Sequence, residues 1–249
     1  MRILLTNDDG ITSSGINLLA ASLRKMGHRV YIVAPNTNRS GCSHSIFFLH
    51  EPIKVKEIEK DSWSCSGTPV DCVITALLGG IPDIDIKKEP PDLILSGINR
   101  GANLGTDIIY SGTAAAARQG SLFGIPSIAL SLVENNKEWH WESAISFFTK
   151  NIAKIKNFWK EETFVNVNFP NIKEEAADIV ITFPSKRCYN DRMVNFPAPG
   201  GSLYCFADLG ITETMDEEGS DWNEVRKNNV SLSVILSQPV CSARGGLCG

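Results

Sequence analysis

The opening stretch of the chain, Met1-Arg-Ile-Leu-Leu-Thr-Asn-Asp-Asp-Gly10, decides the fold. Its apolar run ends abruptly in acidic and turn-forming residues, which is typical of a parallel strand buried on both faces. In an open α/β sheet, ligands bind beyond the carboxyl ends of such strands, where Asp8 and Asp9 fall. Adjacent carboxylates repel each other unless a cation lies between them. The pair therefore predicts either a metal site or a solvated turn in which Asp8 caps the next helix.

The segments that follow alternate between helix and strand. Ser13 or Ser14 is expected to cap a helix that ends at Gly27, and a buried strand follows at 30–34, which completes a βαβ unit. The predicted inward face of this helix is Ile16, Leu19, Ala20, Leu23 and Met26. Further strands are predicted at 45–49, 53–58, 92–95, 125–132, 164–168, 179–183, 203–206 and 230–236, and helices at 68–78, from 114, and at 141–158. This order predicts an α/β fold with a Rossmann-like, doubly wound and mostly parallel sheet.

The alternation of helix and strand fades after residue 160. We therefore expect residues 1–160 to form a Rossmann-like catalytic core. Residues 161–249 are expected to form a C-terminal strand-rich extension of the same domain, with an acidic loop at 213–224. Such extensions often make oligomer contacts, so a homodimer or homotetramer is expected.

Composition limits the function classes that fit the chain. The 249 residues are 43% hydrophobic and 21% charged, with a net charge of −4, which argues against a nucleic-acid or membrane partner. An anionic substrate must then be attracted by a local feature such as a metal ion or a helix N-terminus.

The seven cysteines form no C-x-x-C pair, which predicts reduced thiols. The early aspartates argue against a secretory signal, and no apolar run reaches the roughly 18 residues of a membrane span. A cytoplasmic location is expected.

Three segments, 7–10, 38–43 and 96–113, each follow a predicted strand and are rich in glycine and oxygen donors. Parallel strands bring such segments to one edge of the sheet. Carboxylates, a hydroxyl and an amide suit a hard divalent ion, either Mg²⁺ or Mn²⁺. The predicted ligands are Asp8, Asp9, Ser40 and Asn99. A site of this kind leaves positions for water and a substrate oxygen.

A phosphate site is predicted at Ser111, Gly112 and Thr113, directly before an alanine-rich helix. Backbone N–H groups and the positive end of the helix dipole favour an anion there. The alternative is that Thr113 only caps the helix. Arg39 is a candidate to pair with phosphate, or else lies on a solvated loop.

Six blocks of sequence resemble the survival protein SurE family. They are Asn7–Gly10, Asn38–Gly41, Gly67–Cys72, Ser96–Asn99, Gly101–Gly105 and Tyr110–Thr113, and Gly124–Ser131 extends the match. Six ordered blocks are far more specific than any one of them. Members of this family are metal-dependent phosphatases that act on nucleoside 5′- and 3′-monophosphates.

The resemblance implies that the four predicted ligands hold one divalent ion, and that Asn103 and the 110–113 segment lie beside the phosphate. It also implies a C-terminal extension exchanged or clasped between subunits. The chain departs from the family pattern at Ser220-Asp221, at Thr106, where a second acid often stands, and at 228–235, which lacks the usual glycine-tyrosine and proline. These departures concern oligomer geometry and substrate preference.

The function predicted from the sequence is that of a 5′-nucleotidase, a metal-dependent phosphomonoesterase in which Asp8 and Asp9 are catalytic. Asp9 is the favoured residue for handling the attacking water. Because the acids are adjacent rather than spaced D-x-D, direct attack by water is favoured over an aspartyl intermediate. A receiver-like signalling module would need an acceptor aspartate after the 92–95 strand, where Ser96 and Asn99 stand instead. A nucleotide-binding module without turnover remains an alternative.

Overall fold

A computed structural model of the chain describes residues 1–81, 89–135, 138–174 and 176–240. Its strands are β1 (Arg2–Thr6), β2 (Arg29–Pro35), β3 (Val55–Glu59), β4 (Ser62–Cys65), β5 (Leu93–Arg100), β6 (Ser127–Leu132), β7 (Thr163–Phe169), β8 (Ile179–Ile181), β9 (Arg187–Tyr189), β10 (Arg192–Pro197), β11 (Leu203–Asp208), β12 (Thr212–Thr214) and β13 (Val230–Leu236). Its helices are α1 (Ser14–Lys25), α2 (Pro69–Leu77), α3 (Asp107–Tyr110), α4 (Gly112–Leu122), α5 (Trp141–Lys156) and α6 (Asp221–Arg226).

A nine-stranded sheet organises the molecule, in the order β3-β4-β2-β1-β5-β6-β7-β13-β8. The six strands from β4 to β7 in this order run parallel. On one side β3 pairs antiparallel with β4; on the other, β13 pairs antiparallel with β7 and parallel with β8. The predicted α/β class with a mostly parallel sheet is confirmed. The strand β1 lies between β2 and β5, so the segments that follow these three strands emerge side by side.

Helices cover both faces of the sheet, which explains the unbroken apolar run in β1. Ile3 and Leu5 pack with α1 and α5 in one core cluster, whereas Leu4 packs with α2 on the opposite face. Alternate side chains of a strand point to opposite faces, so all three must be apolar. The inward face predicted for α1 is correct except for Met26, which ends the helix and is exposed.

Asp71 in α2 holds residues 45–49 in a loop, where the sequence predicted a strand. The predicted start of α2 is correct, because Thr68 and Asp71 form a reciprocal capping box. The same carboxylate accepts hydrogen bonds from the backbone N–H groups of Phe47, at 3.0 and 3.1 Å, and Phe48, at 3.4 Å. Residues 45–49 are therefore a loop and not the predicted strand, because their N–H groups bind a side chain instead of a neighbouring strand.

The chain beyond residue 160 contributes to the central sheet and also forms two small sheets. Strands β7, β13 and β8 extend the main sheet, whereas β10 pairs with β11 and β12 with β9. Part of the predicted acidic loop is wrong, since it contains β12 and the start of α6. The domain division at 160 stays a prediction. The last nine residues of the predicted extension, with Cys241 and Cys248, lie outside the described residues, as do residues 82–88 before β5.

None of the helices in the described ranges combines the length and the apolar character needed to cross a membrane.

Candidate active site

A tight turn after β1 carries the two predicted acids. The buried Asn7 amide shapes this turn, because its Nδ2 donates to the carbonyl of Gly10 at 2.9 Å and to the hydroxyl of Ser13 at 2.7 Å. Ser13 is the N-cap residue of α1, but its occupied hydroxyl makes no capping bond to the helix. The alternative in which Asp8 caps α1 is therefore wrong.

Asp8 is a buried carboxylate bound to the start of α4. Its Oδ1 accepts a 2.6 Å hydrogen bond from the hydroxyl of Thr113, and the backbone N–H of Thr113 also donates to it. Burial raises the pKa of Asp8 from 3.8 to about 6; the bond from Thr113 opposes this rise, and the charge of Asp9 adds to it. Asp8 is thus held in place yet lacks a full positive partner among the described side chains.

Asp9 is only partly buried and faces the end of β5. Its Oδ2 accepts a 2.9 Å hydrogen bond from the backbone N–H of Arg100. Burial raises the pKa of Asp9, while the N–H group and the positive charge of Arg100 lower it. No hydrogen bond in the described part of the chain engages the other oxygen of Asp9, so it is available to a ligand or a water molecule.

The loop after β2 brings Ser40 to the same edge of the sheet. The backbone N–H of Arg39 donates to the carbonyl of Asp8 at 2.7 Å, which ties this loop to the acidic turn. Ser40 itself is exposed, and its N–H binds Oδ1 of Asn38 at 2.7 Å. Asn99 lies at the end of β5, where its Nδ2 donates to the carbonyl of Gly101 at 2.9 Å. Among the described residues, no hydrogen bond engages the amide oxygen of Asn99, which is thus available to a ligand.

Two cavities flank this edge. One of about 370 Å³ is lined by Asp8, Ser40, Gly41, Asn99, Arg100, Gly101, Ala102, Asn103, Asp107, Tyr110, Ser111 and Tyr189. The other, of about 430 Å³, is lined by Asp9, Thr12, Ser13, Ser14, Gly15, Asn38, Arg100, Trp139 and Trp141. We call them the Asp8 cavity and the Asp9 cavity. Three predicted ligands share the Asp8 cavity with Asn103 and Ser111, and Arg100 lines both cavities.

Buried asparagines hold Asn103 in the Asp8 cavity. Its backbone N–H donates to Oδ1 of Asn168 at 2.8 Å, and its carbonyl accepts from Nδ2 of Asn166 at 2.9 Å and of Asn168 at 3.1 Å. Its own Nδ2 donates to the hydroxyl of Ser131 at 2.7 Å. Sequence reasoning missed Asn166 and Asn168. The signal for them is two asparagines in a strand that is buried along its whole length, because buried amides need partners.

The start of α4 lies directly against Asp8. The hydroxyl of Ser111 caps the helix by accepting from the N–H of Ala114 at 3.0 Å, so Ser111 and not Thr113 is the cap. A Cβ added to Gly112 would lie 3.1 Å from the Cβ of Asp8, which leaves little room for a side chain. Of the three predicted phosphate residues, Ser111 lines the cavity, and Thr113 is a partner of Asp8.

The guanidinium of Arg39 is directed to a different contact. Its Nη2 donates to the carbonyl of Ser66 at 2.7 Å, and its Cζ lies 5.3 Å from the ring centre of Phe47. Arg39 is not among the residues that line either cavity. The structure therefore does not bring this predicted phosphate residue together with the others.

Two residues of β9 contact Asp107 and were missed from the sequence, and one of them, Tyr189, lines the Asp8 cavity. The hydroxyl of Tyr189 donates to Asp107, and Arg187 forms an ion pair with the other oxygen of the same carboxylate. Burial and the Asp107 carboxylate raise the pKa of Tyr189. No local pattern links Asp107 to a strand about 80 residues further on, so these contacts are visible only in three dimensions.

The C-terminal part also holds the glycine loop at 101–105. The buried carboxylate of Asp221 accepts hydrogen bonds from the backbone N–H groups of Gly105 at 2.7 Å, Ser185 at 2.9 Å and Trp222 at 2.8 Å. Gly105 has a φ of +53°, and a Cβ there would lie 2.1 Å from the carbonyl oxygen of Ser185. A glycine is needed because two chain segments touch at this point.

The donor set fits a hard divalent cation. Burial raises the pKa of both neighbouring aspartates, so a cation between them would relieve an electrostatic cost. Within the described ranges, no hydrogen bond engages the side-chain oxygens of Ser40 and Asn99 as acceptors, and both are neutral ligands of the kind that Mg²⁺ and Mn²⁺ accept. The described ranges contain no group of three or more His, Cys, Asp or Glu placed so that it could hold a metal ion, so a site here would combine two acids with neutral oxygens.

Fold and site together define a class: an α/β protein with an acid pair, one residue buried and the other partly buried, at the carboxyl edge of a parallel sheet. The family model for survival protein SurE matches residues 3–191. Two relatives named 5′-nucleotidase SurE each align with 94% of this chain. The protein from Geotalea uraniireducens is 39% identical over 237 residues, which are 92% of its own length. The protein from Stenotrophomonas maltophilia is 38% identical over 239 residues, which are 89% of its own length. The crystal structure of the SurE protein from Aquifex aeolicus has a TM-score of 0.80 at 36% identity and covers 96% of this chain and 95% of its own. The chain belongs to the survival protein SurE family.

Proposed function

We propose that the protein is a divalent-metal-dependent phosphomonoesterase that hydrolyses nucleoside 5′-monophosphates, and also 3′-monophosphates, to nucleoside and phosphate. The observation that carries this proposal is the Asp8–Asp9 pair at the mouth of two cavities, beside the N-terminus of α4. Relatives named 5′-nucleotidase SurE, which match 94% of the chain, support the activity.

Asp8, Asp9, Ser40 and Asn99 would hold the one Mg²⁺ or Mn²⁺ ion per subunit. When bound, such an ion supplies a Lewis acid that polarises phosphate and lowers the pKa of water. The hydrogen bond from Thr113 fixes the carboxylate of Asp8, so this ligand would be in place before an ion binds. These four residues span three separate segments, so the sheet edge must form before the donor set exists.

Asp9 accepts the proton of the attacking water. Its carboxylate is less buried than that of Asp8, and one of its oxygens is free of the Arg100 N–H bond. Water attack forms a new P–O bond while the ester P–O bond breaks, and Asp9 takes one proton from the water. The nucleoside oxygen leaves and takes up a proton from bulk solvent, to which Asp9 then returns its own proton. Asn103, Ser111 and the first residues of α4, Gly112 and Thr113, would bind the phosphate, where the positive end of the α4 dipole favours the developing charge.

Release of phosphate from a panel of nucleoside monophosphates tests the function. We expect turnover with Mn²⁺ or Mg²⁺ and loss of turnover in excess chelator. Asp9→Asn should abolish turnover while circular dichroism shows an intact fold. Turnover in chelator, or no turnover with any nucleotide, would refute the mechanism; nucleotide binding by calorimetry without turnover would instead support a binding module.

The partners and location belong to the same proposal. We infer a homodimer or homotetramer that contacts through the C-terminal extension, where β10 and β11 expose apolar side chains. A cytoplasmic enzyme is consistent with the free thiols of the described residues, Cys42, Cys65, Cys72, Cys188 and Cys205.

A further inference from the structure

Arg100, the last residue of β5, stands on the wall that the Asp8 and Asp9 cavities share. Its backbone N–H binds Oδ2 of Asp9 at 2.9 Å, so its position relative to the acid pair is fixed by the sheet. The residue is exposed, and its side chain starts directly beside the predicted metal ligands Asp9 and Asn99. This places a cation between the two cavities, beside the acid pair.

The guanidinium is held by an aromatic stack. Its Cζ lies 5.0 Å from the ring centre of Trp139, and the indoles of Trp139 and Trp141 are stacked with centres 5.5 Å apart and planes inclined by 17°. A cation over a tryptophan face is attracted by the ring quadrupole. The stack limits the orientations of Arg100 without using its N–H donors.

The N–H donors of this guanidinium remain open. Among the described residues, its side chain makes no ion pair with a carboxylate and no hydrogen bond, whereas Arg39 binds a carbonyl and Arg187 binds Asp107. A guanidinium presents several donors in a planar fork that matches phosphate oxygens. In a chain of net charge −4, such a group supplies the local attraction that a dianionic substrate needs.

We propose that Arg100 is a phosphate-binding residue and that Trp139 is its positioning residue. This inference rests on the proposed function and names the group that meets the substrate phosphate at the wall between the cavities. It assigns to Arg100 the role that the sequence suggested for Arg39.

The test compares Arg100→Met and Arg100→Lys with wild type, all loaded with Mn²⁺. In Arg100→Met, we expect inhibition by inorganic phosphate to weaken about 10- to 100-fold, the range for losing hydrogen bonds to a charged group. The KM for nucleoside monophosphate should rise in parallel, while inhibition by the uncharged nucleoside stays unchanged. Arg100→Lys should recover part of the loss, because it restores the charge but not the fork. Trp139→Leu should give a smaller loss with the same pattern.

Arg29→Met is the matched control, since Arg29 also lies over an aromatic ring, 4.9 Å from the centre of Tyr31, but at the opposite end of the sheet. Calorimetry with inorganic phosphate measures binding independently of turnover. If the wild-type protein were inactive, the proposed function would be refuted, but its phosphate affinity could still be compared with that of Arg100→Met. Unchanged phosphate affinity in Arg100→Met would overturn the inference. Equal weakening of phosphate and nucleoside would overturn it too, because it would indicate a general distortion of the site.

Discussion

The hydroxyl of Thr113 donates a 2.6 Å hydrogen bond to Oδ1 of Asp8, across 105 positions of sequence. Both residues are buried, so water does not replace this bond if it is lost. At the start of α4, Thr113 therefore binds Asp8 directly, whereas the sequence predicted that this residue would bind phosphate.

Thr113→Val should weaken Mn²⁺ binding about 10-fold or more, because the hydroxyl favours the charged form of Asp8 and hydrogen bonds to charged groups contribute about 1.5–3 kcal/mol. Thr113→Ser keeps the donor and should bind Mn²⁺ nearly as wild type does. Calorimetric titration at pH 7 measures the difference. Equal affinity in Thr113→Val and wild type would contradict the assignment of Asp8 as a ligand.

Asp8 should make the metal-free protein less stable as pH rises. Burial raises its folded-state pKa from 3.8 to about 6, so the folded state binds the proton more tightly than the unfolded state does. The free energy of unfolding that Asp8 contributes is fully present below about pH 4, declines between about pH 4 and 6, and is lost above that range. At pH 7 the metal-free protein is therefore about 3 kcal/mol less stable than it would be with Asp8 protonated. Asp8→Asn removes this cost.

Urea unfolding in the presence of chelator measures that effect. Asp8→Asn should be more stable than wild type at pH 7, and the gap should shrink toward pH 4. Addition of Mn²⁺ should stabilise wild type and leave the variant nearly unchanged. A gap that is independent of pH would show that packing, and not ionisation, separates the two proteins.

Asp221→Asn should lower both stability and kcat/KM. The Asp221 carboxylate accepts hydrogen bonds from three backbone N–H groups, and the substitution would place an amide NH₂ group opposite one of these donors. Leaving that buried N–H without an acceptor lowers the free energy of unfolding by about 1–3 kcal/mol. The loop at 101–105 would lose its anchor at Gly105. Asp178→Asn is the control, since the exposed Asp178 also accepts a backbone N–H, that of Ile179. Equal activity in the two variants would argue against a role for this anchor.

The hairpin of β10 and β11 should carry the oligomer interface. Phe196 and Phe206 form a T-shaped pair with centres 5.9 Å apart, and both rings are exposed in the single chain. Replacing both with serine should lower the mass measured by light scattering to that of a monomer, because exposed apolar clusters of this kind mark interaction surfaces. Leu78→Ser, at an exposed apolar position after α2, should not change the mass. An unchanged mass in the double variant would place the interface elsewhere.

Local patterns were enough to predict β1, α1, α2 and the acidic turn. A buried parallel strand, a capping box and an amphipathic helix each leave a short signature. The strand predicted at 45–49 failed because its apolar composition resembles a strand, while its N–H groups bind the carboxylate of Asp71 instead.

Contacts between distant segments could not be predicted in this way. Arg39 follows β2 and Arg100 ends β5, and both carry the same charge, but only the fold directs one to Ser66 and the other to the cavity wall. Tyr189 and Asp221 come from the part of the chain that appeared from its sequence to be an appendage. Their contacts with Asp107 and Gly105 depend on the order of strands across the sheet.

The late position of Tyr189 and Asp221 has a consequence for synthesis of the enzyme. A growing chain that has reached residue 160 already holds both aspartates, Ser40 and Asn99, but not the residues that close the Asp8 cavity and hold the 101–105 loop. At about 5–20 residues per second, the ribosome needs several more seconds to supply them. The nascent chain thus passes through a period in which the acid pair is present but the finished substrate cavity is not.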